Sequence, residues 1–173
     1  HMGQTAENVA EKWQISRDAQ DEFAVRSQNK AEAAQKAGKF ADEIVAYTIK
    51  TRKGETVVDS DEYIRHGASM EAMQKLRPAF AKDGTITAAN ASSISDGASA
   101  LMLMAASEAT ARGIEGMATI VAHARHSQAP GEFTIAPIGA ISKLLDKINW
   151  TTADVDLFEI NEAFAMVTML AMD

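Results

Sequence analysis

The sequence predicts an α/β fold of the layered kind, with a largely helical segment ahead of it. Two patterns and one quantity carry that expectation. From Ala98 onward, short apolar runs alternate with helix-spaced segments, as strands and helices do in layered α/β proteins. Residues 1–94 show mainly helical periodicity, interrupted by one hairpin pattern. Apolar residues make up 46% of the 173 positions and charged residues 24%, which is enough apolar material for a core.

In chain order, Thr5 is placed to cap a short helix reaching Trp13. Ser16 precedes a long helical pattern with Asp18, Asp21 and Glu22 in its first turns, where the helix dipole favours negative charge. Ala19, Phe23, Ser27, Ala31 and Ala34 give that helix one expected buried stripe, and Gly38 a C-terminal stop. Ile44 to Ile49 and Thr56 to Val58 read as strands of a hairpin turning at Arg52–Glu55. Ser69 caps a helix over Met70 to Leu76, which Pro78 prevents from continuing.

Asp83 to Gly97 is rich in Gly, Ser, Thr and Asn, the chemistry of a loop. It is either an exposed connection or a segment whose small side chains let a ligand approach the backbone. Ala98 to Ala105 suits a buried strand, Ser107 starts a short helix ending near Gly113, and Ala118 to Ala122 is a second apolar run. Ile138 to Ile148 has helical spacing, and Leu157 to Ile160 is a short apolar run running into Asn161-Glu162-Ala163-Phe164. No internal repeat or low-complexity tract occurs.

Composition narrows the chemistry. Cysteine is absent, which excludes disulfides, thiolate metal ligands and a cysteine nucleophile within these residues. With 17 basic and 24 acidic side chains the net charge is −7, a poor match to general nucleic-acid binding. No apolar run approaches the roughly 18 residues of a membrane span, and no signal peptide is visible. The expectation is a cytoplasmic protein with neither membrane nor nucleic-acid partner.

The charge is uneven. Residues 1–94 hold 13 basic and 14 acidic side chains, and residues 95–173 hold 4 and 10. Arg52, Lys53, Arg65, Lys75, Arg77 and Lys82 cluster in the first part, either as a solvated face or as a site for a phosphorylated small molecule.

No metal site is expected. His1, His66, His123 and His126 have no ligand spacing, and His123 and His126 would face opposite sides of a strand. There is no G-x-S-x-G elbow, P-loop or G-x-G-x-x-G. From the residues alone, Asn161 stands where a strand should end, a usual place for functional groups, but it is equally a cap for the next helix.

Motifs sharpen this. His1-Met2-Gly3-Gln4-Thr5-Ala6-Glu7-Asn8, then Ser16-Arg17 with Gln20-Asp21 and Phe23-Ala24, then Asp61 to Arg65, then Leu76 to Phe80, follow one another. Asp83-Gly84-Thr85-Ile86-Thr87-Ala88-Ala89-Asn90-Ala91-Ser92 and Asn161-Glu162-Ala163-Phe164-Ala165 complete the series. Together these resemble the thiolase family across nearly the whole chain, in its acetyl-CoA C-acetyltransferase branch.

That resemblance implies a layered αβαβα fold, incomplete in these residues. Residues 1–94 would be a largely helical CoA-binding loop domain, 95–116 the end of the N-terminal core domain, and 117–173 the start of the C-terminal one. It also implies a middle segment of an enzyme that condenses two acetyl-CoA molecules or runs the reverse thiolysis. The family's nucleophilic cysteine and its second catalytic pair would lie elsewhere, so this segment alone should be inactive. The substrates would be CoA thioesters, with no separate cofactor, in a homodimer or homotetramer of fatty acid metabolism. Two alternatives remain: a non-catalytic CoA-binding or oligomerisation module, and a degradative 3-ketoacyl-CoA thiolase.

Residue roles follow from the same resemblance. Asn161 would hold the water of an oxyanion hole. Arg65 would meet the nucleotide end of CoA and Ser92 the pantetheine amide. Met73, Ala79, Phe80, Ala88 and Ile94 would wall the CoA, and His1 and Met2 would approach pantetheine and acyl group. Phe133 and Phe164 would lie near the acyl group. Some positions depart from the family pattern: Ala89 and Ser93 replace glycines, which would be strained at positive φ, and Ala136-Pro137-Ile138-Gly139-Ala140 replaces the more frequent G-P-x-P-A.

Overall fold

A computed structural model describes residues 1–173. Helix α1 spans Met2–Lys12 and begins one turn earlier than Thr5 would start it. His1 is the cap: its Nδ1 accepts from the Gly3 amide at 3.1 Å, while the Thr5 hydroxyl donates to the Met2 carbonyl inside the helix. Helix α2, Arg17–Lys36, is capped as the sequence predicts, with Ser16 Oγ accepting from the Ala19 amide at 3.1 Å. It closes through Gly38 at φ +69°, whose neighbour Lys39 reaches back to the Ala34 carbonyl at 3.0 Å.

The buried face of α2 differs from the expected stripe. Ala19, Phe23, Ser27, Ala31 and Ala34 are half-buried, whereas Gln20 and Asp21 are fully enclosed beside Ala24. Apolar spacing missed this because the helix buries polar side chains that hydrogen-bond across to a loop.

Strands β1 (Tyr47–Thr51) and β2 (Gly54–Val58) pair antiparallel, Tyr47 opposite Val58 and Thr51 opposite Gly54. The first strand starts later than Ile44 because the Ile44 amide still bonds the Phe40 carbonyl in the turns after α2. Gly54 takes φ +128°, open to glycine and strained for other residues. Both strands are exposed along their length. Helix α3, Met70–Gln74, is capped by Ser69 as expected.

Helix α4 covers Ala106–Ala111, starting from Ala105 rather than Ser107. A 3-10 segment, Pro130–Ile135, leads into α5, Ala136–Ile148, and α6 covers Ala165–Met172. The runs 98–105, 118–122 and 157–160 are extended or irregular and form no ladder. The expectation that Ala98–Ala105 is a buried strand is corrected: it is exposed throughout. A strand needs a neighbour to satisfy its amides and cover its faces, and none of these runs has one within the chain.

The core forms where the first and last parts of the chain meet. Ala6 and Val9 of α1 and Ile86 of the loop pack with Ile135, Phe164, Met166 and Val167. No helix is long and apolar enough to cross a membrane.

Candidate functional site

The loop from Asp83 to Ser92 is a buttressed element, contrary to the reading of it as an exposed connection. Ile86 and Thr87 are fully buried and Asn90 nearly so. Such a polar loop can be buried only if its main-chain groups find partners. Glu7 of α1 supplies several: its carboxylate accepts from the Thr85 amide at 2.8 Å, the Thr85 hydroxyl at 3.1 Å and the Ile86 amide at 2.9 Å. Gly84 permits this, since a Cβ there would lie 2.2 Å from Glu7 Oε1.

Helix α2 holds the other side. Gln20 Nε2 donates to Thr85 Oγ1 at 2.9 Å. Asp21 accepts from Asn90 Nδ2 at 2.9 Å and from Arg17 Nε at 2.6 Å. Asn90 also accepts from the Thr87 amide at 2.8 Å and donates to the Thr85 carbonyl at 3.0 Å, so its amide closes the loop on itself. Arg17 continues outward to the Met73 and Leu76 carbonyls at 2.7 and 3.1 Å.

The loop ends by gripping the second motif. Ala91 and Phe164 form an antiparallel bridge. The Ser92 amide and hydroxyl donate to the Ala163 carbonyl at 3.0 and 3.2 Å, and the Ala165 amide donates to the Asn90 carbonyl at 2.9 Å. Two motifs some seventy residues apart in sequence (the Ser92–Ala163 pair has a separation of 71) are therefore one backbone unit. The Glu162 carboxylate accepts from Ser27 of α2 at 2.8 Å.

Asn161 is exposed and does not cap the next helix, because α6 begins at Ala165 with Phe164 as its cap residue and no side-chain cap. It lines two cavities. One, of about 220 Å³, is shared with Tyr63, Ser92, Ala91 and Phe23. The other, of about 570 Å³, is mostly apolar and includes Phe133, Ala140, Ile141 and Val167. Phe164 itself is buried in the core, 8% exposed.

The remaining sequence-selected residues fall around this centre. The Arg65 guanidinium lies over the Tyr63 ring at 5.5 Å, a cation–π arrangement, and the residue is exposed. Its main-chain amide is fixed by Gln28 Oε1 at 2.8 Å. The His1 ring packs on Phe80 at 4.8 Å, and Gly3 allows this: a Cβ there would sit 2.2 Å from the Phe80 ring. Met2 beside them is half exposed. The Ala79 amide donates to the Ile86 carbonyl at 2.8 Å, which ties the 76–80 segment to the loop. Met73 is buried, whereas Ala88 and Ala79 are exposed and Ile94 projects fully into solvent.

Sequence reasoning gave Tyr63, Glu7, Gln20, Asp21 and Asn90 no role at the site. Tyr63 could have been found from its spacing of two from Arg65. The buried carboxylates and amides had no comparable local signal, because their partners are distant. Glu32 was also missed: the Lys36 ammonium and the Gly67 amide hold its carboxyl below its ordinary range, which steadies the turn after Arg65. Thr151 lowers Asp154 in the same way at a distant capping box.

The departures from the family pattern are accommodated. Ala89 and Ser93 both sit at negative φ, so neither is strained. Gly139 makes room for a large neighbour, since a Cβ there would lie 2.6 Å from the His126 ring. No three His, Asp or Glu side chains gather as a possible metal site.

Residues 1–107 match the family model described as the thiolase N-terminal domain, and 114–173 that of the thiolase C-terminal domain. The chain is 61% identical over 165 residues to the acetyl-CoA acetyltransferase of Paracoccus denitrificans, covering 95% of this chain and 42% of that protein. It is 53% identical over 170 residues to the cytosolic acetyl-CoA acetyltransferase of Mus musculus, covering 97% of this chain and 43% of that one. Among solved structures, it superposes on the Bacillus anthracis acetyl-CoA acetyltransferase with a TM-score of 0.90 at 44% identity, over 98% of this chain and 43% of that chain. It superposes on human mitochondrial 3-ketoacyl-CoA thiolase with a TM-score of 0.84 at 39% identity, again over 98% and 43%. The chain thus spans about two-fifths of the length of these relatives, and its fold is the corresponding part of theirs. By its two domain matches and this likeness in sequence and fold, the chain belongs to the thiolase family.

Proposed function

We propose that this chain is the coenzyme A-binding part of an acyl-CoA C-acyltransferase that condenses two acetyl-CoA molecules to acetoacetyl-CoA, or runs the reverse thiolysis. The observation that carries the reading is the joining of residues 90–92 to 163–165. It brings Ser92 and Asn161 to one small cavity, with Tyr63 and the Arg65 stacked on it at the side. A hydroxyl, an amide and a guanidinium there match the amide, carbonyl and phosphate groups spaced along an acylated CoA.

In this reading Arg65 meets the phosphates or adenine of CoA, where a planar guanidinium suits both. Ser92 takes the pantetheine amide; its hydroxyl already donates to Ala163, which leaves its oxygen to accept. Phe80, Ala79, Ala88, Met73 and Ile94 form the wall, with His1 and Met2 close to the thioester end. Asn161 orients a water toward the thioester oxygen, and a neutral amide does this at any working pH. Phe133 sits on the apolar cavity where a short acyl group fits. Thiolate attack and proton transfer need cysteines and a histidine supplied from outside these residues, since the chain contains no cysteine.

The wider protein is proposed to be a cytoplasmic homodimer or homotetramer of fatty acid metabolism. It would use CoA thioesters as substrates without a further cofactor and have no nucleic-acid or membrane partner. Calorimetry with CoA and dephospho-CoA tests the reading. Arg65→Ala should weaken CoA more than dephospho-CoA, and equal weakening would contradict Arg65 reading the 3′-phosphate. The homogeneous 173-residue chain should show no acetoacetyl-CoA thiolysis; turnover would refute the division of labour.

A further inference from the structure

We propose that Asn90, oriented by the Arg17–Asp21 pair, is a positioning residue that holds Ser92 and the Asn161–Ala165 segment in register; its functional consequence rests on the CoA-binding reading above. Asn90 is 3% exposed and Asp21 is fully buried. Its amide uses both ends: Oδ1 accepts from Thr87, and Nδ2 donates to Asp21 and to the Thr85 carbonyl. Asp21 is fixed in turn by Arg17, which also clamps the carbonyls of Met73 and Leu76. The backbone of Asn90 faces the other way, its carbonyl taking the Ala165 amide.

Three pieces of the candidate site therefore converge on one relay. These are the 73–76 turn ahead of Ala79 and Phe80, the loop carrying Ser92, and the segment carrying Asn161. A rotation of Asn90 would move the peptide that Ala165 binds, and with it the Ser92–Ala163 contact two residues on. An amide suits position 90 because its NH₂ donates twice, to the Asp21 carboxylate and the Thr85 carbonyl, while its oxygen accepts from the Thr87 amide; a hydroxyl has only one proton to give. A carboxylate at 90 would face Asp21 across 2.9 Å, with Arg17 the sole cation on the pair.

Amide hydrogen exchange in the 173-residue chain tests the relay, with α5 amides as the control. Asn90→Ala should speed exchange at Ser92 and Ala165 together, by roughly tenfold or more, with α5 unchanged. Unchanged exchange at both amides, or a change at only one of them, overturns the proposal. If Asn90→Ala loosens α5 equally, the swap decides. Asn90→Asp combined with Asp21→Asn restores a donor–acceptor pair and should protect Ser92 and Ala165 better than Asn90→Asp alone. No gain from the swap overturns the relay.

Binding provides the readout a purely structural role would not move. Asn90→Ala should weaken CoA severalfold and leave 3′,5′-adenosine bisphosphate unaffected, because that ligand lacks the pantetheine that Ser92 would hold; equal loss of both overturns the positioning role. A wild-type chain that binds neither ligand refutes the CoA reading, and the exchange measurements still decide the relay.

Discussion

Glu7 of the first helix accepts from the main-chain amides of both Thr85 and Ile86, at 2.8 and 2.9 Å, and so fixes a loop that begins more than seventy residues later. A carboxylate is required because every group facing it is a donor. Glu7→Gln would turn an amide NH₂ toward one of those donors. It should destabilise the chain by about 1–3 kcal/mol, the cost of an unsatisfied buried group. Urea unfolding checks this, and an unchanged midpoint would contradict it.

Gly139 and His126 form a matched pair, a ring packed where a side chain is missing. Gly139→Ala should destabilise by about 1–3 kcal/mol through overpacking. Adding His126→Ala should recover part of that loss, with a coupling of about 0.5–3 kcal/mol in a double-mutant cycle. Additive losses would mean that the ring has room to move aside.

Ile86 is wholly buried among Ala6, Val9, Met166 and Val167, where both ends of the chain contribute to one core. Ile86→Ala should cost about 2–5 kcal/mol. Ile49→Ala in the exposed hairpin should change stability by less than about 0.5 kcal/mol. Thermal or urea denaturation of the two variants should separate them clearly.

The Glu32 carboxyl, held low first by Lys36 and then by the Gly67 amide, stabilises the turn after Arg65 while it is ionised. That contribution is complete above the ordinary carboxylate range and disappears as pH falls through the lowered value. Gly67 amide protection should therefore persist at pH 6 and fall in acid below the usual carboxylate range. Glu32→Gln should remove that pH dependence.

Much of the local structure was legible in the sequence, for local reasons. Ser16 and Ser69 are side-chain caps and act over three residues, Gly38 stops α2, and the Arg52–Lys53 turn closes its hairpin. What escaped is non-local. Gln20 and Asp21 look like surface residues until the loop they bind is placed over them. Ala98–Ala105 has the composition of a strand, but pairing is a property of two segments, and no segment of the chain pairs with it. The candidate site shows the same contrast: Ser92 and Asn161 stand in recognisable motifs, while the hydrogen bonds that bring their segments together run through the main chain of Asn90, Ala163 and Ala165.

Coenzyme A is proposed to lie along one surface, from Arg65 and Tyr63 through Ser92 to Asn161. Titration of the isotopically labelled chain with CoA, followed by amide NMR, tests it most directly. The account predicts saturable shifts of Arg65, Ser92 and Asn161 with a single dissociation constant, and no response in the β1–β2 hairpin strands. Absence of binding, or shifts confined to residues remote from Ser92 and Asn161, would contradict it.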